Sequence, residues 1–150
     1  MDINMKPTNK AEISFLSNSV NEAFARGAVA SFLLSLDPTV NDLSDIKTAL
    51  SEAVTNAIIH GYKNEIGTVY ITLKTFDNGR VVIRVRDKGC GIDDVKAAME
   101  PLFTTGGSEQ AGIGFAVMES FCDKVRVTST VGKGTSVVLT KQLARKKNDG

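Results

Sequence analysis

The stretch that decides the fold is residues 51–62, SEAVTNAIIHGY. Within it Glu52 and Asn56 stand four residues apart, so on a helix both side chains project from one face. The residues around them are largely apolar, which indicates that this face is partly buried. A Glu and an Asn in a buried pocket are costly unless something binds them. The pair therefore predicts a ligand site, although the same spacing taken alone is more common on a solvated helix face.

The helix that carries this stretch is predicted from apolar residues that recur at steps of three and four. It is expected to begin near residues 41–44 and to end at Gly61, a glycine suited to a left-handed C-cap. The hard carbonyl oxygen of Asn56 suits Mg²⁺. The carboxylate of Glu52 can take a proton from an attacking hydroxyl or water. His60 stands one residue before the expected helix end, where a histidine is usually no more than a terminal residue favoured by the helix dipole.

Upstream of this helix the sequence predicts an edge strand and another helix. Residues 11–16 alternate between apolar and polar side chains, as a half-buried strand does. Ser19 and Glu22 have the spacing of a capping box. The apolar stripe that follows, which includes Val20 and Phe24, is expected to face the sheet.

Downstream the hydrophobic period changes from helical to two, which predicts strands. The expected elements are strands at 69–73 and 81–85, a short helix at 93–100, a helix at 112–121 and a last hairpin of strands at 125–130 and 135–140. The order β-α-α-β-β-α-loop-α-β-β predicts an α+β fold. We expect a two-layer sandwich with helices on one face of a mixed, mostly antiparallel sheet.

Length and composition suit one domain. The chain has 150 residues, of which 42% are hydrophobic, enough for a core. Residues 1–10 are predicted to be a flexible N-terminus, 11–141 the folded domain, and 142–150 a disordered polar tail. The two cysteines, Cys90 and Cys122, are expected to be free thiols, which is typical of a reducing cytoplasm.

Charge and hydropathy exclude two classes of partner. The formal net charge of +1 provides no strong field, so no direct nucleic-acid partner and no anionic membrane surface is expected. The longest apolar runs are far shorter than the ~20 residues that span a bilayer. We therefore expect no membrane segment.

Three glycine-containing motifs follow the helix of residues 51–62. Asp87 comes directly after a strand, where its carboxylate can accept a hydrogen bond from an exocyclic amine such as that of adenine. Gly89 and Gly91 allow a backbone to approach a ligand closely. The run 112–114, Gly-Ile-Gly, is expected to open a helix, whose free amides bind phosphate. Thr135 can bond to a base or to a water beside Asp87. Each motif taken alone is typical of an ordinary turn or helix start.

Taken together, the order and spacing of these motifs resemble the GHKL ATP-binding superfamily of gyrase, heat-shock chaperones, histidine kinases and mismatch-repair proteins. The stretches 21–26, 36–39, 51–62, 101–105 and 114–119 further resemble the anti-sigma serine kinases of sporulation, over residues 11–141. The resemblance implies that Glu52 is the general base and that Asn56 holds Mg²⁺ against the phosphates of ATP. It also implies that Asp87 reads adenine and that the nucleotide is lined by Gly89, Gly91, Thr104, Thr105, Gly112, Gly114 and Thr135.

The resemblance also implies protein partners. In this family the ATP-bound form holds a sigma factor, here of the sigma F type. An anti-anti-sigma factor displaces the sigma factor and is inactivated by phosphorylation on serine. Arg26 and Glu22 are expected to contact these partners, with Arg26 facing solvent. A homodimer that uses the first strand and first helix is expected, in the cytoplasm.

One departure keeps other interpretations open. Members of this family carry an arginine just before the GxG run, whereas residues 106–111 contain no basic residue and Gln110 supplies only a neutral donor. An ATP-binding anti-sigma module with weak or no kinase activity is therefore an alternative. A bare ATP-driven conformational module would need further domains. A histidine kinase would need a phosphoacceptor helix pair, and the one histidine, His60, lies within the nucleotide-binding motifs.

Overall fold

A computed structural model describes residues 6–99 and 107–144, with the backbone alone described for 107–113. This part of the chain contains five strands and four α-helices. They are β1 (Asn9–Leu16), α1 (Asn21–Leu33), α2 (Val40–Asn56), β2 (Thr68–Thr75), β3 (Arg80–Asp87), α3 (Val95–Ala98), α4 (Gly107–Phe121), β4 (Lys124–Thr130) and β5 (Gly134–Gln142). A short 3₁₀ turn, Leu34–Leu36, follows α1, and a π-helical turn, Ala57–Gly61, follows α2.

The strands form one sheet in the order β1-β2-β3-β5-β4. Alternate residues of the central strands β2 and β3 are buried, and Val137 and Leu139 of β5 are buried beside them, which places the helices on one face and leaves the other open. The buried residues of this layer are Val69, Ile71, Leu73, Val81, Ile83, Val85, Val137 and Leu139. The α+β sandwich is confirmed. The sheet was expected to be mixed, but every neighbouring pair among the described strands is antiparallel.

Helix α1 departs from its prediction in both its start and its buried face. It begins at Asn21 with no side-chain cap, so the capping box expected from Ser19 and Glu22 does not form. Val20 is 73% exposed and Phe24 54% exposed, so neither faces the sheet interior as expected. The buried stripe is Ala25, Val29 and Leu33 instead. These residues repeat every four positions, which brings one face of α1 against α2.

Helix α2 begins at Val40, one residue before the predicted start near residues 41–44. The Thr39 side chain caps it by accepting a hydrogen bond from the Asp42 amide at 3.0 Å. Beyond Asn56 the chain continues as the π turn instead of stopping. Gly61 was predicted to be a left-handed C-cap, but it does not have a positive φ. A glycine is needed at this position because the Asp87 side chain packs closely against it.

The two helices after β3 also differ from their predicted bounds. Helix α3 is a single turn, Val95–Ala98, capped by the side chain of Asp94. Helix α4 begins at Gly107, five residues before the predicted start at Gly112. Ser108, Glu109, Gln110 and Ala111 tolerate or favour helix, so the last helix extends back through them. The run 112–114 therefore lies inside α4 and its amides are not the free ones of a helix end.

The ordered strands extend past the predicted domain ends. Strand β1 includes Asn9 and Lys10, which were expected to belong to the flexible N-terminus. Strand β5 reaches Gln142, and Leu143 is 5% exposed, although both were assigned to the disordered tail. Residues 1–5 and 145–150 lie outside the described residues. None of the helices in the described ranges is both long and apolar enough to cross a bilayer.

Candidate functional site

The site is built where the π turn meets the loop after β3. The carbonyl oxygen of Gly61 accepts a hydrogen bond from the Cys90 amide at 2.9 Å. A Cβ atom on Gly89 would stand 2.0 Å from that same carbonyl oxygen, and one on Gly61 would stand 2.7 Å from Cγ of Asp87. The glycines that were predicted to let a ligand approach therefore let two backbone segments approach each other. This contact holds the Asp87 carboxylate beside the end of α2.

Asp87 occupies the last position of β3 and is 6% exposed. Its Oδ1 atom accepts a hydrogen bond from the Gly89 amide at 2.9 Å. Burial raises the pKa of this carboxyl group above its usual value, and the Gly89 and Thr135 amides only partly oppose the shift. A buried carboxylate with spare acceptor capacity suits a neutral exocyclic amine as its partner.

Tyr62 fixes the start of the same loop. Its hydroxyl group donates to the Thr68 carbonyl at 2.6 Å and accepts from the Lys88 amide at 2.7 Å. A Cβ atom on Gly67 would lie 2.2 Å from the Tyr62 ring, so that glycine makes room for it. Tyr62 belongs to the stretch 51–62 but was not predicted to take part in the site. Its position directly after the π turn lets it bridge β2 and the Asp87 loop.

Thr135 sits opposite Asp87 in the β3–β5 register. It is 9% exposed, and its hydroxyl group lies 2.8 Å from that of Ser129 on β4. Ser129 also accepts a hydrogen bond from the Ile92 amide at 2.8 Å. The structure thus places Thr135 beside Asp87, as predicted. It adds Ser129, which the sequence reasoning missed because only the pairing of β4 with β5 brings it there.

Glu52 and Asn56 meet at Gly114. A Cβ atom on Gly114 would be 3.2 Å from Oε2 of Glu52 and 3.2 Å from both Oδ1 and Nδ2 of Asn56. The i, i+4 spacing on α2 brings the two polar groups to one point, and the absence of a side chain at Gly114 leaves room for them. The Nδ2 atom of Asn56 is buried and has no hydrogen-bond partner among the described residues. Such an atom is costly unless a ligand supplies the missing acceptor.

A cavity of about 350 Å³ joins Asn56 to Asp87 and Thr135. This is within the usual size range of small-ligand sites. Its polar lining includes Asn56, His60, Lys63, Asp87, Cys90 and Thr135, and its apolar lining includes Ala53, Ala57, Val85, Ile92, Ala98, Phe115 and Val137. Apolar walls with a few convergent polar groups are what a flat heterocycle with a charged substituent needs.

His60 lines this cavity and was not predicted to take part in the site. Burial, and to a smaller extent the charge of Lys63, lower its pKa, so the imidazole is neutral at pH 7. The signal that would have found it is its spacing, because it follows Asn56 by four residues on the same face. Cys90, also in the lining, is exposed, while Cys122 is half-buried, and both are free thiols as predicted.

A groove of about 470 Å³ that Glu52 lines lies between α1 and α2. Arg26 lines it with an Nη1 atom 2.6 Å from Oε1 of Glu22 and 3.4 Å from the hydroxyl oxygen of Ser51. Its side chain is 39% exposed, so Arg26 is half-buried and paired instead of simply solvated as expected. Glu52 lines this groove, and Asn56, one helical turn later, lines the cavity.

Gly91 and Gly112 are two further residues predicted for the site. Gly91 lines the cavity in a left-handed conformation, with φ of +78°, where a Cβ atom would lie 2.4 Å from the Thr130 carbonyl oxygen. Gly112 is part of the α4 backbone. Thr104 and Thr105 lie outside the described residues.

The residues present fit a magnesium ion only if a ligand supplies most of its coordination. No cluster of three or more His, Cys, Asp or Glu side chains suited to a metal occurs among the described residues. Asn56 can supply one amide oxygen, Oδ1, whereas its unpartnered Nδ2 is a donor that suits a phosphate oxygen and not a metal ion. Mg²⁺ is commonly held by one or two protein oxygens together with substrate phosphates, so Asn56 is the residue that would hold it.

Residues 16–141 match the model of the histidine kinase-like ATPase domain family. The chain is also 54% identical to an anti-sigma F factor from Thermoanaerobacter sp. (strain X514) over 145 residues, which cover 95% of this chain and 100% of that protein. This chain belongs to the anti-sigma F factor family of histidine kinase-like ATPase domains. Another anti-sigma F factor, from Priestia megaterium, is 50% identical over 93% of this chain and 96% of its own length.

Solved structures agree on the fold of this anti-sigma F family chain. A crystal structure of the RsbU and RsbW domains of a Mycobacterium tuberculosis protein superimposes with a TM-score of 0.68 at 23% identity, covering 93% of this chain and 33% of that one. A histidine kinase domain from the blue-light activated kinase of Erythrobacter litoralis superimposes with a TM-score of 0.53 at 19% identity, covering 81% of this chain and 61% of that one. At these identities the likeness establishes the fold alone.

Proposed function

We propose that this kinase-type anti-sigma factor binds ATP with Mg²⁺, holds a sigma factor of the sigma F type, and phosphorylates an anti-anti-sigma protein on serine. The ATPase-type domain and the anti-sigma F family membership support the coarser part of this assignment. Serine specificity, the metal and the antagonist partner are what the proposal adds. A cytoplasmic location goes with it.

The observation that carries the proposal is that Glu52 meets Asn56 at Gly114. Glu52 lines the α1–α2 groove, and Asn56 lines the cavity that contains Asp87. A nucleotide in the cavity would direct its terminal phosphate toward Asn56, while a hydroxyl-bearing segment could reach Glu52 from the groove. Glu52 is then placed to accept the hydroxyl proton as the oxygen attacks phosphorus.

The remaining residues would act by positioning. Asp87 would accept a hydrogen bond from the adenine amine, and Asn56 would hold Mg²⁺ with one oxygen. The metal ion would supply charge neutralisation between the phosphates, which is most of what phosphoryl transfer requires from its site. Gly114 leaves room beside Glu52 and Asn56, so that phosphate oxygens can approach the Asn56 amide.

The test compares two substitutions at the meeting point. Glu52→Gln should retain ATP·Mg²⁺ affinity and lower phosphate transfer to the anti-anti-sigma protein by roughly 10²–10⁴-fold, the usual range for a general base. Asn56→Ala should weaken Mg²⁺-dependent ATP binding as well. Calorimetric ATP titration and radiolabel transfer from ATP measure the two effects separately. Transfer by Glu52→Gln at the wild-type rate would remove Glu52 from the role of base.

One observation favours a second candidate, an anti-sigma module that binds ATP without transferring phosphate. Residues 106–111 contain no cation to neutralise a terminal phosphate. Single-turnover transfer separates the two functions. If wild-type protein binds ATP and the sigma factor but transfers no label to any serine of the antagonist, the second candidate is the correct one.

The proposed homodimer is supported by apolar surface on the first strand and helix. Leu16, Val20 and Phe24 are 56%, 73% and 54% exposed, and β1 is an edge strand. Large apolar side chains grouped on one surface favour association. Phe24→Asp should shift the sedimentation of the protein from dimer toward monomer, whereas Val131→Asp, at an equally exposed valine on the β4–β5 turn, should not. Equal sedimentation of Phe24→Asp and wild type would place the dimer interface elsewhere.

A further inference from the structure

The open face of the sheet is strongly cationic although the chain as a whole carries a net charge of only +1. Arg84 and Arg86 on β3 point to this face, since their neighbours Val85 and Asp87 are buried on the other. Arg126 on β4 stands beside them because it pairs with Val138, which also pairs with Arg84. The alternation of the five strands puts a single carboxylate on this face, Glu12, which is paired with Lys10 at 3.5 Å.

Neutral groups hold these cations in place without cancelling their charge. The guanidinium carbon of Arg86 lies 4.9 Å from the centre of the Tyr70 ring, and Nζ of Lys88 lies 5.1 Å from the same centre. The Nε atom of Arg84 donates to the hydroxyl oxygen of Ser136 at 2.8 Å. Within residues 6–99 and 107–144, no carboxylate lies within salt-bridge distance of Arg84, Arg86 or Arg126. Their charge is thus available to a partner.

A groove of about 370 Å³ opens at the end of this face, between β3 and the β4–β5 turn. Arg86, Lys88 and Lys133 line it, together with hydroxyl-bearing side chains of β4 and β5. Asp87 also lines it, but the Asp87 carboxylate is directed to the opposite side of the sheet, toward Gly61. The groove therefore offers three cations and several hydrogen-bond donors.

We propose that this groove and the adjoining arginines bind an acidic peptide segment of a protein partner. Carboxylates match the planar guanidinium fork, which binds them bidentately. A single-stranded nucleic acid fits less well, because it requires open aromatic rings for base stacking. Tyr70, the aromatic residue on the described strands of this face, already carries two cations against its ring. This docking surface shares Asp87 and Thr135 with the cavity wall but shares no residue with the α1–α2 groove, and it does not depend on the proposed phosphate transfer.

The experiment measures fluorescence anisotropy of a labelled oligoglutamate peptide against the full chain. Arg126→Glu and Arg84→Glu reverse exposed charges and should each weaken peptide binding about tenfold, the loss of one charge-assisted contact. Lys96→Glu on α3 makes the same charge change at an exposed residue away from this face, and it should leave binding unchanged. ATP titration of all three variants should match wild type, which shows that the fold and the cavity are intact.

Three outcomes would overturn the proposal. Equal weakening by Lys96→Glu would mean that the peptide senses only net charge. Tighter binding of oligothymidylate than of oligoglutamate at equal charge would assign the face to nucleic acid. Displacement of the peptide by sodium phosphate, but not by sodium chloride of the same ionic strength, would assign the groove to a small anion. The proposal is supported if the Arg84 and Arg126 variants weaken peptide binding and the Lys96 variant does not.

Discussion

The cavity and the α1–α2 groove lie one helical turn apart on α2, at Asn56 and at Glu52, yet they are built in different ways. The cavity depends on backbone segments in contact, with Gly61, Gly89 and Gly134 each in places where a Cβ atom would overlap another residue. The groove depends on side chains at a surface, with Arg26 paired to Glu22 and 39% exposed. The first arrangement leaves almost no freedom for substitution, and the second leaves a great deal.

This difference predicts which changes affect the nucleotide and which affect the partners. An added atom in the cavity wall displaces backbone, and close-packed interiors transmit such strain to their neighbours. A shortened side chain in the groove removes a contact with a partner and leaves the fold as it was. Substitutions in the two regions should therefore give separable losses, and three of them test the separation.

The largest effect is expected from Gly89→Ala. Its Cβ atom would lie 2.0 Å from the Gly61 carbonyl oxygen, so the π turn and the Asp87 loop must move apart. We expect loss of ATP binding and destabilisation by about 3 kcal/mol or more, in the range of severe steric substitutions. Urea unfolding and calorimetric ATP titration measure the two losses.

Gly27→Ala is the matched control for this change. A Cβ atom at Gly27 meets nothing within 4 Å, and the position is in the interior of α1. The substitution should stabilise the protein by about 0.5–1 kcal/mol through helix propensity. Wild-type ATP affinity in Gly89→Ala would show that the contact between the π turn and the loop is not what shapes the cavity.

The next effect concerns Asp87→Asn, which places an amide where a carboxylate is expected to face the adenine amine. A buried mismatch of this kind costs about 3 kcal/mol, or roughly a hundredfold in ATP affinity at neutral pH. GTP should bind weakly to the wild type, because it offers an acceptor where the Asp87 carboxylate can only accept. Equal binding of ATP and GTP by wild type would contradict the assignment.

The pH dependence of ATP binding sharpens the same prediction. Burial raises the pKa of Asp87 above its usual 3.8, so on acidification the carboxylate is protonated, and the adenine contact is lost, at a higher pH than for an exposed Asp. The ratio of the ATP affinity of the wild type to that of Asp87→Asn should fall as the pH drops through this range. Taking the ratio removes the effect of the protonation of ATP itself. The stability of the unliganded fold depends on pH in the opposite direction. A carboxyl group with a raised pKa contributes stability that is present below pH 3.8 and is lost as the pH rises through the raised value.

The smallest effect is expected in the groove, from Arg26→Ala. Folding and ATP affinity should be unchanged, since a half-exposed ion pair contributes little to stability. Binding of the sigma factor, the anti-anti-sigma protein or both should weaken by about 2 kcal/mol, the range of interface hot spots. Arg26→Lys keeps the charge without the planar fork and should recover only part of the loss. Unchanged affinities for both partners, measured by surface plasmon resonance in ATP and in ADP, would limit Arg26 to its pairing with Glu22.

Much of the fold could be predicted because hydrophobic period is a local property. The alternation in β2 and β3 and the stripe on α2 were visible in the chain, and all three elements form close to their expected positions. The start of α4 was wrong because Gly112 is only a weak helix breaker, and the preceding residues continue the helix. The buried face of α1 was wrong because Phe24 packs edge-on against Phe15 at 6.2 Å near the sheet edge instead of entering the core.

By itself, the sequence determined which chemical groups this protein has for a nucleotide. Glu52 and Asn56 were identifiable from their spacing, and Asp87 from its place after a strand. Only the tertiary structure decided that Gly114 meets the first two and that Gly61 meets the third. Only strand pairing brought Ser129 to Thr135 and gathered the arginines of the open face. The physical reason is that spacing along a helix or strand follows from backbone geometry, whereas contact between distant segments depends on how completely their side chains fill the space between them.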